Sequence, residues 1–140
     1  MTPAELKKEL STRGFLVYRT LPDGVALAEY QRANLLVDAG IRICTLPTFG
    51  VLIRFRVEQH AYPGESDAQL YARARELAQR SGLPNLTEVR AECIPQTSPS
   101  DPSRVMDVFY EVNFMLAAND LEEAIAQASL SAKALRSLGS

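Results

Sequence analysis

The sequence predicts an α+β protein with a mainly antiparallel sheet of about four to five strands, flanked by helices. Three observations lead to this fold class. Apolar and polar residues alternate over residues 105–116, which is typical of a half-buried strand near the centre of a sheet. A second alternating segment spans residues 51–58. Three helical segments with N-terminal capping residues separate or flank these strands.

The first helix is predicted to begin at residues 2–5, where Thr, Pro and Glu have the spacing of a capping box with proline at the first helical position. Gly14 is placed to end this helix in a left-handed conformation. Residues 15–18 then indicate a short strand, and residues 21–24 have the composition of a turn.

Residues 25–40 carry two conflicting patterns. Ala26, Tyr30 and Ala33 recur at helical spacing among residues that favour helices. Residues 35–37 are equally typical of a buried strand. We therefore expect a helix or turn over about residues 25–33 that leads into a strand, and the alternative in which the whole segment is strand stays open.

The middle of the chain alternates strands with one helix. Strands are predicted over residues 41–46 and 51–58, with a turn between them, and the second has one apolar and one charged face. A capping box at residues 66–69 begins a helix, which Gly82 and Pro84 end. In the strand that follows, the residues expected to face inward are Val89, Ala91 and Cys93.

Residues 95–104, with the sequence PQTSPSDPSR, hold three prolines and no large apolar side chain. They predict a long loop between two strands that pair antiparallel, longer than the usual hairpin connection of about 2–5 residues. After the last strand, the pair Asn119-Asp120 is expected to cap a final helix. The expected organisation is one domain over residues 1–140, with residues 119–140 as a C-terminal helical extension.

Composition excludes several classes of protein. The chain has 140 residues, 46% of them hydrophobic, and a net charge of −2, so it can bury a core but lacks the basic surface that nucleic-acid binders need. No apolar run approaches the roughly 20 residues of a membrane span. The N-terminus lacks the apolar stretch of a signal peptide, so we expect the protein to be made in a cytoplasm. Cys44 and Cys93 are expected to be reduced core residues, and a disulfide is the alternative only if strand pairing brings them face to face.

No residue pattern predicts catalysis. A nucleophile–base pair of Cys44 and His60 would need an orienting acid, yet Cys44 lies in an apolar run and His60 precedes a turn. Asp101, Asp107 and Glu111 are better explained as turn and strand-surface residues than as general acids or bases. One histidine and two separated cysteines give no metal-ligand spacing. We therefore expect no enzyme, no metal and no cofactor.

Two features favour contact with other protein chains instead. Phe109 and Met115 fall on the strand face opposite the core side, which would be a sticky surface if no helix covered it. The predicted loop is the second feature, since long loops are often functional. The residues predicted for an interface are Arg54, Arg56, Gln96, Thr97, Ser98, Asp101, Arg104, Phe109 and Met115.

The order of elements from residue 47 to residue 116 resembles the tail-terminator, or tail-completion, proteins of long-tailed phages. The segments that carry the resemblance are VLIRFRVEQ, a Tyr-Pro-Gly break, SDAQLYARARELAQ, TEVRAECIP and DVFYEVNFML, with the helix over residues 2–13 before them. The resemblance implies a homo-oligomeric ring, commonly of about six copies, with a heterologous interface between identical subunits. Such a ring caps the tail tube and contacts the neck or head, so the protein would be made in the host cytoplasm and reside in the virion.

A second resemblance depends on residues 25–40. If they are strand, the order becomes helix, three strands, helix, two strands, helix, which is similar to type III secretion chaperones and to the bacterial regulatory domains that share their fold. This resemblance implies a dimer in the bacterial cytoplasm that holds an extended client segment without catalysis. The structure of residues 25–40 and the size of the assembly distinguish the two expectations.

Overall fold

The computed structural model describes residues 1–139, which form three α-helices and six strands. The helices are α1 (Pro3–Thr12), α2 (Asp67–Arg80) and α3 (Leu121–Leu138), and a short 3-10 helix covers Gln59–Ala61. The strands are β1 (Val17–Leu21), β2 (Gly24–Arg32), β3 (Leu35–Cys44), β4 (Gly50–Glu58), β5 (Thr87–Ser98) and β6 (Asp101–Ala117). The strands form one antiparallel sheet in the order β1-β2-β3-β4-β6-β5. The predicted α+β class is confirmed, but the sheet has six strands where four to five were expected.

The extra strand comes from residues 25–40, where the expected helix or turn is wrong. β2 pairs with β1 on one side and with β3 on the other, and Val25 lies opposite Ile43 with both side chains fully buried. Helix-forming residues accept the extended conformation here because two neighbouring strands supply their backbone hydrogen bonds. Tertiary pairing therefore overrides local propensity.

The helix ends confirm the capping predictions. Thr2 and Glu5 form a reciprocal capping box at the start of α1, and Gly14 follows this helix with φ of +86°. Ser66 and Gln69 form the same arrangement at the start of α2. The side chain of Asp120 accepts a hydrogen bond from the backbone N–H of Glu123 at the start of α3.

The chain divides into two compact units, and β4 and β6 contribute residues to both. One unit contains the residues up to Ile53 together with those from Met115 onward. Its buried side chains come from both helices and from the strands: Leu6, Leu10, Val25, Ile41, Ile43, Ala124 and Ala128. α1 lies against β1 and β2, and α3 lies against β3. The helix expected as a C-terminal extension thus contributes to a core.

The other unit, Arg54–Phe114, has its own core beneath α2. That core brings together Val57 of β4, Leu70 and Ala74 of α2, and Tyr110 and Val112 of β6. The Tyr110 hydroxyl donates a hydrogen bond of 2.6 Å to Asp67 at the start of α2, which fixes the helix over β4 and β6.

The prediction of a long loop over residues 95–104 is wrong. β5 continues to Ser98 and β6 begins at Asp101, so only Pro99 and Ser100 form the turn of a hairpin. Proline suits the first central position of a turn. Pro95 is tolerated in β5 because β5 is the edge strand of the sheet, where a missing N–H does not break a ladder on the open side.

Candidate interaction surfaces

Two residues predicted for an interface, Arg54 and Arg56, lie beside Glu111 of β6. A guanidinium nitrogen of each arginine is 3.6 Å from the same Glu111 carboxylate oxygen. The Glu111 side chain is only 7% exposed, whereas those of the two arginines are 22% and 36% exposed. A carboxylate as buried as that of Glu111 needs a positively charged partner, because an unpaired carboxylate is costly to bury. Both arginines therefore balance the charge of a carboxylate within the protein.

Phe109 and Met115 are half-buried, so only part of each side chain is available to a partner. The guanidinium carbon of Arg56 lies 4.3 Å from the centroid of the Phe109 ring, in a cation–π contact. Met115 packs so closely on Gly50 that a β-carbon at Gly50 would lie 3.0 Å from the Met115 sulfur. Contacts within the protein therefore cover part of both residues.

The apolar residues of β5 are exposed where the sequence predicts that they face inward. Val89 is 56% exposed, and Ala91 and Cys93 are also exposed. The reason is position: β5 is the edge strand, and the core beneath α2 is built on β4 and β6. The expectation of a core residue is thus confirmed for Cys44, which is buried, and wrong for Cys93; both are free thiols.

The other predicted interface residues lie near the tip of the β5–β6 hairpin. Thr97, Asp101 and Arg104 are exposed, whereas Gln96 and Ser98 are half-buried. Two large apolar side chains follow on β6: Val105 is 55% exposed and Met106 is 57% exposed. Polar residues therefore lie at the tip of the hairpin, and exposed apolar residues follow farther along β6.

A third cluster was missed by sequence analysis: Glu58, His60 and Asp107. His60 Nδ1 lies 2.5 Å from Asp107 Oδ2, and His60 Nε2 lies 3.5 Å from Glu58 Oε2. The hydrogen bond with Asp107, followed by the negative charges of Asp107 and Glu58, raises the pKa of His60. Burial raises the pKa of Asp107, but hydrogen bonds from His60 and Val108 outweigh it and leave that pKa below its usual value.

Sequence spacing could have suggested only part of this cluster. Glu58 and His60 are two residues apart, but Asp107 is 47 residues from His60 and reaches it through the placement of β6. A groove of about 490 Å³ opens beside the cluster, lined by residues that include His60, Gly64 and Asp107.

Cys44 is poorly suited to nucleophilic chemistry. Burial raises the pKa of its thiol to about 11, and the negative charge of Asp23 adds to this effect. The thiolate is the reactive form of cysteine, so a thiol with this pKa is almost entirely unreactive near neutral pH.

Comparison with known proteins does not assign the chain to a family. No family model, curated protein or solved structure matches it. Among the described residues 1–139, no helix combines the length and the apolar character needed to cross a membrane.

Proposed function

We propose that this protein acts without catalysis, by associating with itself and with a partner chain through β5 and the β5–β6 hairpin. One observation carries the proposal: an edge strand of 12 residues presents apolar side chains to solvent. Edge strands have unpaired N–H and C=O groups on one side, which can pair with a strand of another molecule.

Burial of the hairpin's apolar side chains would favour association. Val89, Val105 and Met106 are each more than half exposed. Complete burial of such a side chain contributes roughly 1.5–3 kcal/mol, so covering the exposed half of each contributes about 1 kcal/mol. Arg90 and Glu92, paired at 3.3 Å, place charges on the same strand. Charges on an edge strand oppose indiscriminate pairing and so favour a specific partner.

The element order supports a dimer that holds an extended client segment, as in type III secretion chaperones. The order is helix, four strands, helix, two strands, helix, one strand more than that resemblance requires. Strand structure over residues 25–40 is the feature that was expected to favour this assembly. On this proposal the protein works in the bacterial cytoplasm.

A ring subunit that caps a phage tail tube is the second proposal. It is supported by the tip of the β5–β6 hairpin, where Thr97, Asp101 and Arg104 are exposed and available to a neighbouring copy. A ring needs two different surfaces on each subunit, since its interface is heterologous. On this proposal the partners are the tail tube and the neck proteins, and the protein resides in the virion.

Light scattering across a concentration series, combined with negative-stain imaging, tests both assemblies. We expect a discrete dimer for the wild type, whereas rings of about six copies would favour the second proposal. The variant Val89→Arg should become monomeric, because it places a charge in the proposed contact. Leu130→Arg is the matched control, since Leu130 of α3 is 54% exposed but lies outside the hairpin. A wild type that is monomeric at every concentration, with or without a client or tail tube, would overturn self-association.

A further inference from the structure

Three side chains capable of binding metal ions converge where the chain leaves β4. Glu58 is the last residue of β4, His60 lies in the 3-10 helix that follows, and Asp107 is on β6. One potential ligand atom from each side chain lies within 4.8 Å of the other two. His60 is also the single histidine of the sequence, so imidazole chemistry in this protein can occur only here.

Asp107 fixes the orientation of the His60 ring. Its Oδ1 accepts hydrogen bonds from the backbone N–H groups of His60, at 3.1 Å, and Val108, at 2.8 Å. These bonds direct Oδ2 at His60 Nδ1, 2.5 Å away. When the ring is neutral, Nδ1 therefore carries the hydrogen and donates a hydrogen bond to Asp107 Oδ2. The lone pair is then on Nε2, on the side of Glu58.

We propose that His60 Nε2 and the Glu58 carboxylate bind a zinc ion, with Asp107 as a positioning residue. Zinc binds imidazole nitrogen and carboxylate oxygen at about 2.0–2.2 Å in a tetrahedral arrangement, which separates two neighbouring ligand atoms by roughly 3.3 Å. The observed separation of Nε2 and Oε2 is 3.5 Å, so a small side-chain adjustment brings both to zinc.

The donor set selects the class of metal. Calcium and magnesium prefer sites made of oxygen ligands, whereas an imidazole with a carboxylate suits zinc and related transition metals. Asp107 has the position of the carboxylate that commonly accepts the second N–H of a zinc-bound histidine. The carboxylates of Glu58 and Asp107 also supply two negative charges to match the charge of the ion.

The geometry further predicts an open site. The His60 side chain is 65% exposed and that of Glu58 is 43% exposed, and the adjacent groove leaves room over the ring. With two protein ligands, the remaining positions on the ion belong to water or to a donor from another molecule. Zinc would therefore bind reversibly rather than serve as a core element of the fold.

Because there is only one histidine, nitrogen-15 NMR of the imidazole ring provides a direct test. At about pH 7.5, where zinc can displace the proton of a histidine, zinc should shift the Nε2 resonance and leave Nδ1 protonated. Calorimetry on the same samples should give one site. Glu58→Gln should abolish this binding, and Asp107→Asn should weaken it by about 10–100-fold, as loss of an orienting carboxylate typically does.

A second readout separates positioning from a merely structural role for Asp107. In the zinc-free protein, Asp107→Asn should change the proportion of ring protons on Nδ1 and Nε2, because the carboxylate that favours Nδ1–H is gone. Glu76→Gln, which removes an exposed carboxylate of α2 outside the cluster, is the matched control and should bind zinc as the wild type does. The proposal is wrong if zinc leaves the His60 ring resonances unchanged, or if Glu58→Gln binds zinc as tightly as the control.

Discussion

At the scale of single residues, burial gives the two cysteines opposite properties. Cys44 is 3% exposed at the end of β3, and burial raises the pKa of its thiol to about 11. Cys93 is exposed on the edge strand β5. Both lie in apolar or alternating sequence, so the sequence predicts the same environment for each. Only their places in the sheet distinguish them.

We predict that a thiol reagent at about pH 8 modifies Cys93 rapidly and leaves Cys44 unmodified until the protein unfolds, because the thiolate is the reacting form. Mass spectrometry after a short exposure should therefore find a single modified thiol, and Cys93→Ser should remove it. Equal rates of modification at the two cysteines would contradict the burial of Cys44.

The raised pKa of Cys44 makes the free energy of unfolding depend on pH in the alkaline range. The folded state holds the Cys44 proton up to a pKa of about 11, whereas the ordinary value is 9.0. The contribution of the protonated Cys44 thiol to stability is therefore complete below about pH 9. It is lost as the pH rises through about 11. Urea unfolding across this range should show a smaller loss of stability in Cys44→Ala than in the wild type.

The sequence predicts the strand that holds Asp107 but not the partner of its side chain. Alternation over residues 105–116 correctly assigns Asp107 to a strand, but it does not reveal the partner of its carboxylate. That partner, His60, is brought to it by the neighbouring strand β4 and the helical turn that follows. Contacts between residues far apart in sequence have no local signature.

At the scale of elements, the β2–β3 pair depends on close approach of two backbones. Gly24 lies opposite Cys44 in the strand register. A β-carbon at Gly24 would overlap the carbonyl oxygen of Ile43 and lie 2.8 Å from the α-carbon of Cys44. Both neighbours are backbone atoms, so no side-chain movement can relieve the overlap. Glycine is therefore required here for space.

We predict that Gly24→Ala lowers the free energy of unfolding by about 1–3 kcal/mol, the range typical of overpacking. Urea denaturation measures the effect. Gly139→Ala is the matched control, because a β-carbon there would lie 3.7 Å from the nearest atom, the carbonyl oxygen of Arg136. If Gly24→Ala loses no more stability than Gly139→Ala, then β2 and β3 can move apart at Gly24 without destabilising the protein.

The β5–β6 hairpin shows why composition misleads about loops. Three prolines and three serines in residues 95–104 are typical of irregular structure, yet all but two of these residues are strand. The long alternating segment of β6 supplies a template on which β5 pairs, and the open edge of β5 tolerates proline. Pairing between strands therefore decides the conformation, and composition decides only where the turn lies.

At the scale of the whole molecule, the proposed function uses the β5–β6 hairpin together with the open edge of β5. We predict that replacing residues 97–102 with Asn-Gly preserves the monomer fold and weakens self-association. The change removes two residues from each strand and substitutes a favoured hairpin turn, so the remaining pairs keep their register. Sedimentation velocity measures the assembly, and circular dichroism measures the fold.

The matched control replaces only Pro99 and Ser100 with Asn-Gly, which changes the turn and keeps the length of both strands. It should associate as the wild type does. Unchanged association of the shortened hairpin would assign assembly to β5 alone or to another surface of the protein.

The sequence by itself determined the α+β class, the three helices with their capping residues, and the strands over residues 51–58 and 105–116. These features depend on contacts between residues near one another in the chain, and hydrophobic periodicity and capping record such contacts directly. The tertiary structure alone decided that residues 25–40 are strand, that Cys93 and Val89 are exposed, and that His60 meets Asp107. Each of these depends on which strand lies beside which, and whether a strand is central or at an edge is a property of the assembled sheet.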